Sequence, residues 1–307
     1  MQKAGKRIGW GKLLWRYRYF YLMLLPVVAW YIIFCYAPMY GVVTAFQDYA
    51  MHKGISGSAW VGLKHFRALW KDVFFWRSFR NSCIIALMRM VIEFPIPIVL
   101  SLLLNELRSK RLKSLMQTVM YLPHFLSWII CVSIIQIIFN ADEGLFTILM
   151  NRWFGLPMQN YVVPSTFRWF LVFTNVWKEA GWSMIIFIAA IAGVDPTLYE
   201  AAVVDGANRF QRCLHVTLPG IVSTIVIVLI LNIGSMLNTG FDQVFNMQNP
   251  LTLETGDIID TYVTRTVMKD AKFSYASAIG LFNSFINTAL LLIANRGARL
   301  LGQQSIY

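Results

Sequence analysis

Six stretches of this chain are apolar for about the length of a bilayer-crossing helix, and most of the charge lies between them. They fall at residues 19–40, 82–104, 115–139, 167–194, 216–237 and 275–294. Sheet edges would leave backbone donors and acceptors unsatisfied in lipid, whereas a helix satisfies them within itself. The pattern predicts an all-α integral membrane protein of about six transmembrane helices. Between the first two stretches, Leu63, Phe66, Leu69, Trp70, Val73 and Phe74 recur at helical spacing. They predict an amphipathic helix at the outer interface. Residues 238–274 form the other long connection, with turn character from Asn249-Pro250 and Gly256.

The first apolar run continues from Tyr19 to about Tyr40 without a small-x-small cleavage site. It reads as an uncleaved span behind a cytoplasmic tail of residues 1–18, with residues 19–307 forming one transmembrane domain. Composition agrees: 14% of residues are charged, against about 25% in soluble domains. A net charge of +12 would suggest nucleic acid in a soluble chain. In a membrane chain it marks cytoplasmic loops facing anionic lipid, so lipid is the expected partner and nucleic acid is not.

The bases also set an orientation. Lys3, Lys6, Arg7, Lys12, Arg16 and Arg18 precede the first span, and Arg108, Lys110, Arg111 and Lys113 follow the second. Arg209 and Arg212 lie before the fifth, and Arg296 and Arg299 follow the sixth. Both termini are therefore expected in the cytoplasm. The first connection opposes this with Lys53, Lys64, Arg67, Lys71, Arg77 and Arg80, charges that fall partly within the amphipathic element.

Residues 195–219 carry the most specific pattern. Asp195 can cap free amides and Pro196 suits a first helical position. Gly206 permits a turn, and Arg209 to His215 can form a second short helix before Pro219. Ala201 and Ala202 leave a shallow surface, with Glu200 and Asp205 as acceptors and Arg209 and Arg212 as donors at its edge. By residue type this is either a solvated loop or a handle for another protein's groove.

Glu200-Ala201-Ala202, then Gly206, then Leu218-Pro219 closely resembles the EAA loop of the membrane subunits of ATP-binding-cassette importers. Gly193-Val194-Asp195-Pro196 and Asp205-Gly206-Ala207 resemble the carbohydrate branch, although Cys213 stands where that branch often has a bulky aromatic. Trp60 to Phe66, Leu104 to Leu107, Tyr121-Leu122-Pro123 and Trp177 to Trp182 also look like sugar-permease segments. The chain as a whole is similar to permeases for oligosaccharides from pectin-type and alginate-type polysaccharides. The resemblance implies a type I importer permease fold in a bacterial cytoplasmic (inner) membrane and a carbohydrate substrate. It implies a second, unlike homologous permease and an extracytoplasmic solute-binding protein. It also implies two ATPase subunits gripping Glu200, Ala201, Ala202, Asp205, Gly206, Arg209, Arg212, Leu218 and Pro219. The chain has no Gly-x-x-x-x-Gly-Lys-Ser/Thr loop, so no cofactor is expected on it; ATP and Mg belong to the ATPase subunits.

Polar residues inside the spans are costly and so informative. Arg89 and Glu93 are one turn apart and read as a structural ion pair ahead of a substrate contact. Asn175, Trp177, Lys178 and Trp182, beside Glu179, form a polar-aromatic cluster suited to sugar, or equally to interhelical bonding. Asn232, Ser235, Met236 and Thr239 fall at i, i+3, i+4 and i+7, and Asn283 and Asn287 are one turn apart. Such stripes line a pathway or pack helices. His124 reads as a local hydrogen-bonding residue. The four scattered cysteines have no ligand spacing, and no metal site is expected. A membrane enzyme would show clustered acids or histidines, and a secondary carrier would show an inverted repeat and need no ATPase handle. Neither pattern is present.

Overall fold

The computed structural model describes residues 15–140, 142–155, 162–300 and 302. The expected tail falls largely outside them, since residues 1–14 are not described. Among the described residues, three helices are long and apolar enough to cross a bilayer singly, and the total reaches six when each of three bent pairs counts as one span.

The first span runs Arg18–Phe46 and begins with α1 (Arg18–Tyr31). Pro38 removes the amide that would bond Phe34, and a π turn, Ile32–Tyr36, opens just before it. Its apolar side chains are largely exposed, and it meets the bundle near Thr44, which donates to Ser277 Oγ at 2.9 Å. A two-residue antiparallel pair, Gln47–Asp48 with Ala59–Trp60, then closes the first connection.

The amphipathic element is α2 (Lys64–Lys71). Its stripe divides: Leu69 is buried, whereas Trp70, Val73 and Phe74 are exposed. Asp72 ends this helix and caps the next, accepting from the amides of Phe74 and Phe75. The second span thus starts at Val73, nine residues earlier than the apolar run suggests. It comprises α3 (Val73–Ile92) and α4 (Pro95–Asn105), which meet at Glu93-Phe94 before the prolines.

The third expected span, 115–139, is not one helix. α5 (Lys110–Tyr121) and α6 (Trp128–Ile138) are bent by 100° through the turn carrying Pro123. Ser127 caps α6 by accepting from Ile130 N, which restarts the helix in its new direction. After α7 (Leu145–Phe154), the fourth span is α8 (Phe167–Ala192). It crosses α5 at Gly181, where an added Cβ would lie 2.0 Å from the Met120 carbonyl oxygen. Glycine is required there for backbone contact.

The fifth span is also broken. Arg209–Gly220 and α11 (Val222–Gly234) meet at 58°. Its first part begins with α10 (Arg209–Arg212), and α9 (Pro196–Val204) lies between it and α8. The connection 238–274, with its turn signals, is in fact largely helical: α12 (Phe241–Met247), a turn at Leu253–Gly256, and α13 (Ile259–Asp270). Asn81 holds it down, donating to the carbonyls of Glu254 and Asp257 at 3.0 and 3.1 Å. Arg168 bonds Asn81 Oδ1 at 2.9 Å and the Thr255 carbonyl at 3.0 Å. The last span, α14 (Phe273–Leu300), packs on α11 and α13. Among the described residues, one apolar cluster packs around Phe167, Leu171 and Val244, and another around Leu69, Phe75 and Ile279.

Candidate functional site: an exposed loop and a polar cavity

Residues 195–219 form two short helices at a sharp angle to α8, which turns by 71° into α9. Asp195 Oδ1 accepts from Thr197 N at 2.9 Å, and this amide is the main cause holding the Asp195 carboxyl below its ordinary pKa. Gly206 sits at φ +79°, a left-handed conformation that disfavours a side chain. Asn208 and Gln211 then form a reciprocal capping box that starts α10. Tyr199 donates to Thr217 Oγ1 at 3.0 Å and ties the two arms together.

Glu200, Ala201, Asp205, Gly206, Arg209 and Pro219 are exposed, while Ala202, Arg212 and Leu218 are half-buried. Sequence reasoning missed the apolar part of this surface. Leu198, Val203, Val204 and Phe210 are exposed beside the charges, with Val204 at 86% and Phe210 at 75%. A charged rim around exposed aliphatic and aromatic groups is the composition of a protein-binding surface.

The second feature is a cavity of about 680 Å³ between α3–α4, α8 and α11. Asn175, Trp182, Asn232, Ser235 and Thr239 line it, together with Arg89, Glu93 and Glu179. Ser235 and Thr239 lie beyond the end of α11, so the chain there continues the polar wall without helical spacing. Arg89 Nε faces Glu93 Oε1 at 3.3 Å, and neither atom completes a hydrogen bond. Arg89 Nη2 instead donates to Gln243, and Asn175 Nδ2 donates to Glu93 Oε2 at 2.7 Å. The ion pair belongs to the cavity wall. Its one-turn spacing was visible in the sequence, but the partners Gln243 and Asn175 come from distant segments.

Four of the expected pathway residues do not line this cavity. Successive helical residues point about 100° apart. Trp177 accordingly lines a separate apolar groove with Trp169 and Phe173. Lys178 is buried and donates to the His124 carbonyl at 2.7 Å and Glu179 Oε1 at 3.0 Å. Asn287 accepts from Leu237 N at 3.2 Å and donates to Asn238 Oδ1 at 3.3 Å, a bond between α14 and the end of the fifth span. Asn283 is buried beside that contact and does not line the cavity.

The family described as the inner membrane component of binding-protein-dependent transport systems matches residues 93–303. The chain belongs to this family. It is a transport subunit with the all-α architecture of a type I importer permease, and it is an integral membrane protein. It is 43% identical to the polygalacturonan/rhamnogalacturonan transport system permease protein YteP of Bacillus subtilis, over 94% of this chain and 90% of the relative. Protein LplB of the same organism is 42% identical over 99% of this chain and 96% of its own. Among solved structures it resembles a bacterial ABC transporter involved in import of the acidic polysaccharide alginate. The TM-score is 0.88 at 35% identity, covering 95% of this chain and 99% of that one. A bacterial alginate ABC transporter in complex with an alginate pentasaccharide-bound periplasmic protein matches at TM-score 0.88 and 34% identity, covering 96% of this chain and 99% of that one.

Proposed function

We propose that this protein is one of two unlike permease subunits in an ATP-driven importer of oligosaccharides. The observation that carries the reading is the exposed helical pair at residues 196–212, with apolar Val204 and Phe210 among Glu200, Asp205 and Arg209. A rigid, capped surface of that composition suits the groove of an ATPase subunit. ATP and Mg are bound by two such subunits, and this chain transmits their motion to the cavity through α8 and the broken fifth span. The cavity's carboxylates, amides and indole suit sugar hydroxyls and ring faces. The oligosaccharide comes from an extracytoplasmic binding protein, consistent with the relatives' printed cargoes. In this arrangement both termini and residues 195–219 are cytoplasmic in a bacterial cell membrane, as the basic loops favour.

Site-directed cross-linking tests the docking. Val204→Cys should cross-link to a cysteine in the ATPase groove in membranes, whereas Leu251→Cys, exposed on the connection between α12 and α13, should not. Absence of a Val204 cross-link in an assembled, ATP-hydrolysing complex would reject the loop as the dock.

A further inference from the structure

We propose that α5 carries a binding site for an anionic phospholipid, with the headgroup phosphate between Arg111 and Lys113 and an acyl chain along Leu112, Leu115 and Val119. The bound lipid holds α5 in place against α8. The site itself needs only the membrane setting, while its effect on transport rests on the importer reading.

The apolar half of the site is a stripe that the bundle leaves uncovered. Leu112, Leu115, Met116, Val119 and Leu122 recur at i, i+3, i+4, i+7 and i+10, one face of a helix, and all five are exposed. The other side of α5 packs on α8, with Gln117, Met120 and Tyr121 partly buried. From Leu112 to Leu122 the stripe runs about 15 Å. That is the depth of one leaflet, half of a hydrocarbon core about 30 Å thick. The turn carrying Pro123 ends it there.

The polar half lies at the start of the stripe. Arg108, Lys110 and Arg111 are exposed and Lys113 is half-buried. Successive helical residues point about 100° apart, which sets Arg111 and Lys113 on either side of Leu112. Among the described residues none of the four bases forms an ion pair. The sequence has no Asp or Glu between Glu106 and Asp142. No acid occupies the first turn of α5, so the positive end of its dipole adds to the bases instead of offsetting them. Bases beside a span recruit anionic headgroups. A zwitterionic headgroup brings its own cation and gains less. A transmembrane helix of the partner permease would cover the stripe but leave the bases without counter-charge, whereas an anionic phospholipid supplies both.

The position of α5 bears on the cavity. Its Met120 carbonyl lies against Gly181 of α8. Beyond its far end the His124 carbonyl accepts from Lys178 at 2.7 Å, beside the cavity residue Glu179. Its near end adjoins the exposed loop, where Glu106 acts electrostatically on Cys213. A lipid that fixes the basic end of α5 therefore steadies a helix joining the loop to the cavity wall.

The test uses the complete complex in nanodiscs of equal parts phosphatidylcholine and phosphatidylglycerol, with p-benzoylphenylalanine at position 115. After irradiation, mass spectrometry should show phosphatidylglycerol adducts in excess over phosphatidylcholine by about tenfold or more. Arg111→Gln with Lys113→Gln should remove the preference, and Arg111→Lys with Lys113→Arg should keep it. The same label at position 99, exposed on α4, reads the surrounding leaflet and should show no preference. Equal adducts of the two lipids at position 115 would overturn the site, as would an equal preference at position 99. Adducts to an ATPase or the partner permease in place of lipid, or no adduct, would also overturn it. ATP hydrolysis stimulated by loaded binding protein should fall several-fold when phosphatidylcholine replaces phosphatidylglycerol, and the Gln variant should be equally low in both. Equal wild-type hydrolysis in the two lipids would overturn the holding role. Absence of stimulation in every lipid would reject the importer reading, and with it the effect on transport, while the labelling result would stand.

Discussion

The ammonium of Lys178 lies 2.7 Å from the backbone carbonyl of His124, 54 residues away, and joins the α5–α6 bend to the middle of α8. The bond explains why a lysine occurs in an otherwise apolar helix. It satisfies a carbonyl freed where the α-helical ladder stops, and its charge is matched by Glu179 at 3.0 Å.

Replacing Lys178 with Met keeps the length of the side chain but removes the donors. The lost hydrogen bond leaves the Glu179 carboxylate without its cation, at a cost of about 1–3 kcal/mol. A lower melting temperature of the assembled complex is expected, with partial recovery in Lys178→Arg. An unchanged melting temperature in Lys178→Met would show that the bend is held by other contacts.

Gly206→Pro and Glu200→Lys probe the exposed loop. The first cannot adopt φ +79°, and the second reverses charge at the proposed dock. Both should insert normally and lose sugar uptake. Phe210→Asp should act through affinity, reducing ATPase co-purification. Normal uptake in all three would remove the coupling role from residues 195–219.

Asn287→Leu tests packing against pathway. Its side chain closes the Leu237 amide and meets Asn238, so loss should cost about 1 kcal/mol and lower thermal stability. Transport per assembled complex should persist. The opposite pattern, normal melting with abolished transport, would return Asn287 to the sugar path.

The opposite end of the bundle has a pH-dependent lock. Asp72 accepts from Tyr275 at 2.6 Å and from Tyr262. Burial raises the Asp72 pKa, but the tyrosine and amide hydrogen bonds outweigh it and leave the pKa below the ordinary value. Tyr262 is pushed up to about 12, by burial first and then by Asp72. The Asp72 contribution is complete above about pH 4 and is lost as pH falls through its lowered folded value. The Tyr262 contribution is complete below about pH 10 and is lost as pH rises toward 12. Thermal melts across pH 8–12 should therefore fall less steeply in Tyr262→Phe than in the wild type. Parallel curves would show that Tyr262 ionisation does not govern the alkaline limit.

Local signals in the sequence carried much of this. The spans follow from hydropathy, and the Asp195 cap and Gly206 turn follow from residue type, because each depends on neighbours within a few positions. The 100° bend is not legible in hydropathy, which does not record direction: residues 115–139 are apolar on both sides of Ser127. The folding of 238–274 is not legible locally because its hold comes from Asn81 and Arg168, more than 80 residues away. Trp177, Lys178 and Trp182 are neighbours in sequence, but helical phase decides which of them faces the cavity. Phe210 and Val204 were legible as apolar, but their exposure required the turn at Gly206.

In the proposed function, ATP hydrolysis on partner subunits drives sugar through this chain by way of residues 195–219. The direct measurement is oligosaccharide accumulation in proteoliposomes that contain the full complex, with loaded binding protein outside and ATP inside, for wild type and Gly206→Pro. ATP-dependent accumulation is expected from the wild type, and none from Gly206→Pro despite intact assembly. Equal accumulation by both, or accumulation by the wild type without ATP, would contradict it.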